Sequence, residues 1–329
     1  MFNGHGDDLY KYRGKVKYNF SSNIFSHADL SGLKQYLSER MDVIANYPDP
    51  EPYDLEQMIA ENIGVEQDNV LVTNGATEAI YLIAHYFALY NHSFANPTFS
   101  EYEEAVRMLP YSVHNTGDVC WMCNPNNPTG EVRNAEELTA FIRSKEKEYF
   151  VVDQSYSNYT KQKVLNPKEM VKMENCILLY SMTKRYCIPG LRLGYIVAGK
   201  SMINSLRAIH PAWSVNALAI EAGKYLLEHG IPNFLDLDKY LLETLRLRTE
   251  INKIDEIEAL DTETNFFLIK LKKGNSKDLK EYLIDHFGVL IRDASNFSGL
   301  STRYIRVATQ LPEENDVLVE GIKSYMSQL

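Results

Sequence analysis

Lys184 closes the stretch Ser181-Met182-Thr183-Lys184, directly after an apolar run that starts at Cys176, and Ile188-Pro189-Gly190-Leu191-Arg192-Leu193-Gly194-Tyr195 follows. A lysine taken alone is most often a solvated surface group. At a buried strand end, with Ser181 and Arg192 near in sequence, it suits a deprotonated amine beside a phosphate site. Three further segments place polar groups at the ends of similar runs. Asp153 ends Tyr149-Phe150-Val151-Val152-Asp153, and Tyr156 stands three residues on. A carboxylate there needs a partner or takes up a proton; a pyridinium N–H would serve, and a capping role is the other reading. Asn124-Pro125-Asn126-Asn127-Pro128-Thr129-Gly130 follows the run that ends at Cys123. Its prolines and glycine fix a turn from which amides can be held toward a ligand, and three asparagines are more than a structural turn would need. Thr73-Asn74-Gly75-Ala76-Thr77-Glu78 lies between a strand-like run and an amphipathic stretch. There a glycine permits close backbone approach and free N–H groups at a helix start favour a phosphate, although such a turn is also common punctuation. It is neither a G-x-G-x-x-G fingerprint nor a Walker loop, which lowers the case for a dinucleotide or ATP.

The elements that would carry these loops alternate. Strand-like runs at 69–73, 93–95, 119–123, 149–153, 176–181 and 193–197 are interleaved with helical stretches that include 77–90, 100–108 and 135–145. This is the pattern of a mainly parallel sheet wrapped by helices, in which ligands bind beyond the carboxyl ends of the strands. From about residue 232 a charged helix at 236–252 leads into strand-like 265–271, a helix at 276–287, strand-like 290–292 and 304–308, and a C-terminal helix. That half reads as a smaller α+β domain. The expected division is a large domain over 46–225 and a small one formed by 226–329 with the N-terminal arm 1–45. No internal repeat is evident.

The bulk properties of the 329 residues bound the partners. A formal net charge of −10 repels polyphosphate and anionic membrane, so neither nucleic acid nor membrane is expected, and an anionic substrate must be captured locally by a few arginines. The most apolar helical stretch, 81–90, is short and broken by His85, and no apolar run approaches the ~20 residues of a membrane span. Four cysteines in a chain this long do not make a disulfide framework, and the expected setting is the reducing cytoplasm. Cys120-Trp121-Met122-Cys123 matches C-x-x-C, but no second pair exists and the segment reads as a buried strand, so no metal site is expected.

The segments 124–130, Asp153 with Tyr156, Ser181 to Lys184 and Gly190 to Tyr195, in this order and spacing, resemble the class I/II aminotransferase family of fold-type I pyridoxal phosphate (PLP) enzymes over essentially the whole chain. The resemblance implies a three-layer α/β/α large domain with a mainly parallel, seven-stranded type of sheet, a smaller α+β domain, and pyridoxal 5'-phosphate as cofactor. It implies that Lys184 joins the cofactor aldehyde and later moves protons at the substrate α-carbon, and that Asp153 pairs with the ring nitrogen. Asn127 and Tyr156 would hydrogen-bond the ring oxygen, and Phe99, in Asn96-Pro97-Thr98-Phe99, would stack on the ring. Gly75, Ala76, Thr77, Ser181 and Arg192 would surround the cofactor phosphate. Tyr47 would reach the phosphate of a neighbouring subunit, so a homodimer is expected.

Further segments are similar to branches of the family that act on phosphorylated amino substrates: His5-Gly6-Asp7, Asn19-Phe20-Ser21-Ser22-Asn23-Ile24, Pro211-Ala212-Trp213-Ser214-Val215-Asn216-Ala217, Ile291-Arg292-Asp293 and Tyr304-Ile305-Arg306-Val307-Ala308. Arg306 is similar to the arginine that usually grips the α-carboxylate in plane, which favours transamination. In the branches that act on phosphorylated substrates, Arg292 and Arg306 are expected to hold the substrate phosphate instead, with His5, Asn23 and Asn127 assisting, since a planar guanidinium fork suits that dianion. The expected reaction is decarboxylation of L-threonine-O-3-phosphate to 1-amino-2-propanol O-2-phosphate. Transamination of histidinol phosphate is the alternative, and a non-catalytic binding module a remote one. Three departures bear on the substrate: Gln154-Ser155 after Asp153 in place of Glu-Ala, Arg185 after Lys184 in place of an aromatic or apolar residue, and a segment between Arg107 and Cys120 too short for the usual strand-and-helix excursion.

Overall fold

The computed structural model describes residues 6–109, 118–232 and 235–329. Its strands are β1 (Tyr18–Asn19), β2 (Val70–Thr73), β3 (Asn91–Phe94), β4 (Asp118–Cys123), β5 (Glu148–Asp153), β6 (Cys176–Ser181), β7 (Gly194–Ala198), β8 (Ile257–Ala259), β9 (Phe266–Leu271), β10 (Val289–Leu290), β11 (Arg292–Asp293) and β12 (Tyr304–Ala308). The helices are α1 (Ser31–Ser38), α2 (Tyr53–Ile63), α3 (Gly75–Tyr86), α4 (Glu101–Arg107), α5 (Ala135–Ser144), α6 (Pro167–Met170), α7 (Met182–Arg185), α8 (Lys200–Arg207), α9 (Ala217–His229), α10 (Leu237–Ile251), α11 (Ser276–Phe287) and α12 (Pro312–Met326).

The large sheet has the order β2-β7-β6-β5-β4-β3, with β3 to β6 parallel and β7 antiparallel to both of its neighbours. Both faces are covered, and the strand period of two assigns residues to them. Val70, Val72, Phe150, Val152, Leu178 and Val197 pack on one face with Leu55 and Ile59 of α2, Ile142 of α5 and Leu226 of α9. Leu71, Val151, Ile177, Leu179 and Ile196 pack on the other with Ile80 and Ile83 of α3, Tyr102 of α4 and Leu206 of α8. Side-chain oxygens of Asn134, Asn216, Asp236 and Asn275 accept the free N–H groups that open α5, α9, α10 and α11.

The described residues supply six strands to this sheet rather than seven, and β3 is its edge. In sequence, the stretch between Arg107 and Cys120 is shorter than a further strand with its return crossover would need. Cys120 and Cys123 stand three apart on β4 and so face opposite sides, Cys120 toward the first cluster and Cys123 in the second. The C-x-x-C spacing therefore brings no pair of thiols together.

The small sheet, β11-β12-β9-β8, is antiparallel and is backed by Leu247 and Ile251 of α10, Leu279 and Leu283 of α11, and Leu318 and Ile322 of α12. The single strand expected at 290–292 is two short ones with different partners. Leu290 pairs with Asn19 of β1, whereas Arg292 pairs with Arg306 of β12, and the chain changes sheets at the buried Ile291. The N-terminal segment also divides: Phe20 joins the small core, whereas Leu33 of α1 joins the large one.

Gly194 lets β7 lie against the start of α3. A Cβ there would come within 2.6 Å of the Ala76 nitrogen and 2.8 Å of the Gly75 carbonyl carbon, both backbone atoms. Gly194→Ala is expected to lower the free energy of unfolding by about 1–3 kcal/mol, and to weaken cofactor binding through displacement of the first turn of α3. Urea denaturation and a cofactor titration check this; unchanged values for both would contradict the close contact.

Candidate active site

The carboxyl ends of β4, β5 and β6, the start of α3, and Arg292 and Arg306 of the small sheet enclose one cavity of about 240 Å³. Asp153, the last residue of β5, is only 4% exposed. Its carboxylate accepts from the Tyr102 hydroxyl at 2.8 Å and the Ser155 N–H at 2.8 Å. Burial pushes its pKa up, and these donors with the charge on Lys184 oppose the shift. A carboxylate so placed gains most from a further N–H presented inside the cavity, which a protonated pyridine nitrogen supplies.

Lys184 lies on α7, the single helical turn that follows β6, and its Nζ donates to the Ser22 carbonyl at 2.8 Å. Burial, then the nearby Arg306 and Arg192, bring its pKa down to about 8, with Asp7 acting the other way. A substantial neutral fraction near physiological pH is what a nucleophilic or proton-moving amine requires.

Gly75 opens α3 with a φ of +77°, a conformation that suits glycine. A Cβ there would lie 2.8 Å from an Arg192 guanidinium nitrogen. Ala76, Thr77, Ser181, Thr183 and Arg192 line this end of the cavity, and the buried Thr183 hydroxyl has no hydrogen-bond partner. A helix start, a guanidinium and free hydroxyls form a cradle for a phosphate.

Only one of the three turn asparagines faces the cavity. Asn124 is held by Arg133, accepting from its N–H at 2.7 Å and donating to its carbonyl at 3.2 Å. Asn126 donates to the Pro97 carbonyl at 2.9 Å and accepts from the Thr98 hydroxyl at 3.0 Å. These two staple the turn to itself and to the 96–99 loop, so the expectation that a structural turn has no use for so many asparagines does not hold. Asn127 lines the cavity and accepts from Arg306.

Arg292 and Arg306 are directly opposite each other on β11 and β12 and are 5% and 4% exposed. Arg306 donates to Asn127 and to the Ser21 carbonyl, and its Nε has no partner. Arg292 donates to Asn296 at 2.8 Å and lies over the Phe297 ring at 5.2 Å. Among the described residues these contacts are neutral. Burial lowers the pKa of Arg292 to about 9, with Arg306 adding to it, and burial lowers that of Arg306 to about 10. The carboxylates of Asp293 and Asp8 act on Arg292 only from beyond ion-pair distance. Two adjacent buried guanidinium groups with no ion-pair partner among the described residues are costly, and a dianion between them would offset that cost.

Phe99 and Tyr156 line the same cavity. Phe99 meets Tyr102 edge to face at 5.6 Å, and Tyr102 stacks on Trp121 at 5.6 Å, so the aromatic wall is backed by the core. Burial pushes the Tyr156 hydroxyl up, which keeps it a hydrogen-bond donor. Asn23 is fully buried with φ 54° and an unpartnered amide, and the residues on either side of it, Ser22 and Ile24, line the cavity. Tyr47 is 86% exposed and packs on Trp213 at 5.5 Å, away from this chain's own cavity. His5 lies outside the described residues.

Several lining residues were not singled out: Gly6, Asp7, Ser21, Ser22, Thr183 and Phe297, together with Tyr102 behind the wall. Ser21 and Ser22 reach the cavity through the pairing of β1 with β10 across the chain, which leaves no local signal. The donor set as a whole fits pyridoxal phosphate: a low-pKa amine, a buried carboxylate awaiting an N–H, an aromatic wall and a phosphate cradle.

The family model for aminotransferase class I and II matches residues 86–322. The crystal structure of L-threonine-O-3-phosphate decarboxylase from Porphyromonas gingivalis superposes with a TM-score of 0.90 at 37% identity, over 94% of this chain and 100% of that one. A threonine-phosphate decarboxylase of Salmonella typhimurium is 26% identical over 94% of this chain and 91% of its own length. A histidinol-phosphate aminotransferase of Thermoanaerobacter pseudethanolicus is 29% identical over 85% of this chain and 84% of its own. This chain belongs to the aminotransferase class I and II family and is a pyridoxal phosphate-dependent enzyme.

Proposed function

We propose that the enzyme decarboxylates L-threonine-O-3-phosphate to 1-amino-2-propanol O-2-phosphate. The observation that carries this reading is the buried pair Arg292 and Arg306, which have no carboxylate partner among the described residues and open on the cavity that holds Lys184. Similarity to proteins named for this reaction supports it. Transamination of histidinol phosphate is the second reading; it would use the same arginine pair for the same dianion, and similarity to histidinol-phosphate aminotransferases favours it.

Pyridoxal phosphate, when bound, supplies an electron sink for the pair released from whichever α-carbon bond stands perpendicular to its ring. The residues decide which bond that is. Asp153 would hold the ring nitrogen protonated, Asn127 and Tyr156 would donate toward the ring oxygen, and Phe99 would cover one ring face. Gly75, Ala76, Thr77, Ser181 and Arg192 would fix the cofactor phosphate. Arg292 and Arg306 would grip the substrate phosphate, and Asn23 and His5 would assist in holding the substrate. With both arginines occupied by the substrate phosphate, neither would be left to hold the α-carboxylate, which would be free to leave as CO2, and Lys184 would deliver the proton that takes its place.

The exposed Tyr47–Trp213 pair is the basis for a homodimer in which Tyr47 reaches the partner's cofactor phosphate. We further infer a large unit over 46–225 and a small unit of 1–45 with 226–329, brought together at the cavity, with α1 of the N-terminal arm packed on the core of the large unit. No described helix is long and apolar enough to cross a membrane, and a cytoplasmic setting is part of the same proposal.

Purified enzyme given phosphothreonine is expected to release CO2 without any oxo-acid acceptor, and Arg306→Ala to raise KM by about 10–100-fold, the worth of charge-assisted hydrogen bonds to the dianion. A strict requirement for 2-oxoglutarate would move the assignment to transamination. The lowered pKa of Lys184 has its own signature. Its neutral fraction grows as pH rises, so the rate at which apoenzyme takes up the cofactor, followed by absorbance, should climb through a midpoint near pH 8 and level off above it. A midpoint in the ordinary lysine range, about 10.4, would contradict this.

A further inference from the structure

Gly6 and Asp7 line the cavity that Lys184, Arg292 and Arg306 share. Gly6 packs on the arginine pair: a Cβ there would lie 3.0 Å from the Ser21 carbonyl oxygen, 3.3 Å from an Arg306 guanidinium nitrogen and 3.5 Å from Arg292 Cδ. Asp7 follows in the left-handed region, with φ 62°. Its N–H donates to the Ser21 hydroxyl at 3.0 Å, and one carboxylate oxygen accepts from the Asn19 amide at 2.7 Å. Lys280 and Lys11 pair with the neighbouring Asp8 rather than with Asp7. Asp7 thus adds a second carboxylate, besides Asp153, to the cavity that holds the arginine pair, and its charge is felt at Lys184.

A phosphorylated amino acid whose amine is at Lys184 and whose phosphate is at Arg292 and Arg306 would carry its α-carboxylate within the same cavity that Asp7 lines. We propose that Asp7 is a specificity-determining residue, which repels the substrate α-carboxylate and keeps it from competing with the phosphate for the arginine pair. The inference rests on the phosphate-binding reading of that pair. Asp7 then has two consequences: the phosphate alone occupies the guanidinium groups, and the carboxylate is left beside a like charge that its departure as neutral CO2 relieves.

The test uses two ligands of one carbon skeleton that lack an amine and cannot join the cofactor: sn-glycerol 3-phosphate, without a carboxylate, and 3-phosphoglycerate, with one. Their affinities are measured by calorimetry on holoenzyme, for wild type, Asp7→Asn and Asp7→Gly. Asparagine keeps the acceptor for Asn19, and both replacements tolerate the left-handed backbone. The wild type should prefer glycerol phosphate. Both variants should shift the ratio toward 3-phosphoglycerate by about tenfold, the scale of one nearby like-charge repulsion, with glycerol phosphate affinity within about twofold of wild type. An unchanged ratio overturns the proposal, and so does loss of both ligands in Asp7→Asn, which would make the residue structural. Arg306→Ala separates the two readings. If it leaves glycerol phosphate binding intact, the arginine assignment fails, whereas a ratio insensitive to Asp7 with binding lost in Arg306→Ala fails Asp7 alone.

Discussion

Removing charged groups from water is the constraint around which this structure is organised. Asp153, Arg292 and Arg306 are nearly inaccessible, and Lys184 is pushed far enough down to be partly neutral near pH 8. None of the four has an ion-pair partner among the described residues. A fold accepts such groups only where something else offsets their desolvation, and the four converge on one cavity. Their arrangement has two poles: the amine and the carboxylate at the mouth of the large sheet, and the guanidinium pair on the small sheet. An N–H donor at the first pole and a dianion at the second would offset the buried charges.

Backbone geometry brings the two poles together. Parallel strands β4, β5 and β6 end side by side, so the turn after Cys123, the carboxylate of Asp153 and the chain leading to Lys184 arrive at one edge. Gly194 permits β7 to touch the start of α3, and Gly75 leaves room for Arg192 above it. From the other side, β1 pairs with β10 and carries Ser21 and Ser22 to the cavity, with Gly6 and Asp7 folded back over them. The Ser22 carbonyl receives the Lys184 amine, and the Ser21 carbonyl receives Arg306. One N-terminal stretch therefore touches both poles.

The large-sheet half was the more legible part of the sequence. Asp153, Ser181 and Lys184 follow short apolar runs, and because a buried parallel strand has few places for a polar group, the strand end is readable from composition alone. The same logic located the helices at 135–144 and 276–287 to within a residue, where Asn134 and Asn275 supply caps. Less was legible where a residue's role depends on a distant partner. Tyr102 sits on an ordinary amphipathic helix, and nothing local shows that its hydroxyl reaches Asp153. Asn124 and Asn126 looked like ligand-facing amides and are turn staples, because a side-chain hydrogen bond to nearby backbone has no sequence period. The split of 290–292 into two strands follows from competition between β1 and β12 for the same chain, which only the assembled fold decides.

The account stands on one covalent attachment in this cavity. Reduction of the holoenzyme with borohydride, followed by proteolysis and mass spectrometry, tests it most directly. The account predicts a single peptide carrying the reduced cofactor mass on Lys184. An unmodified Lys184, or the mass on another lysine, would contradict it.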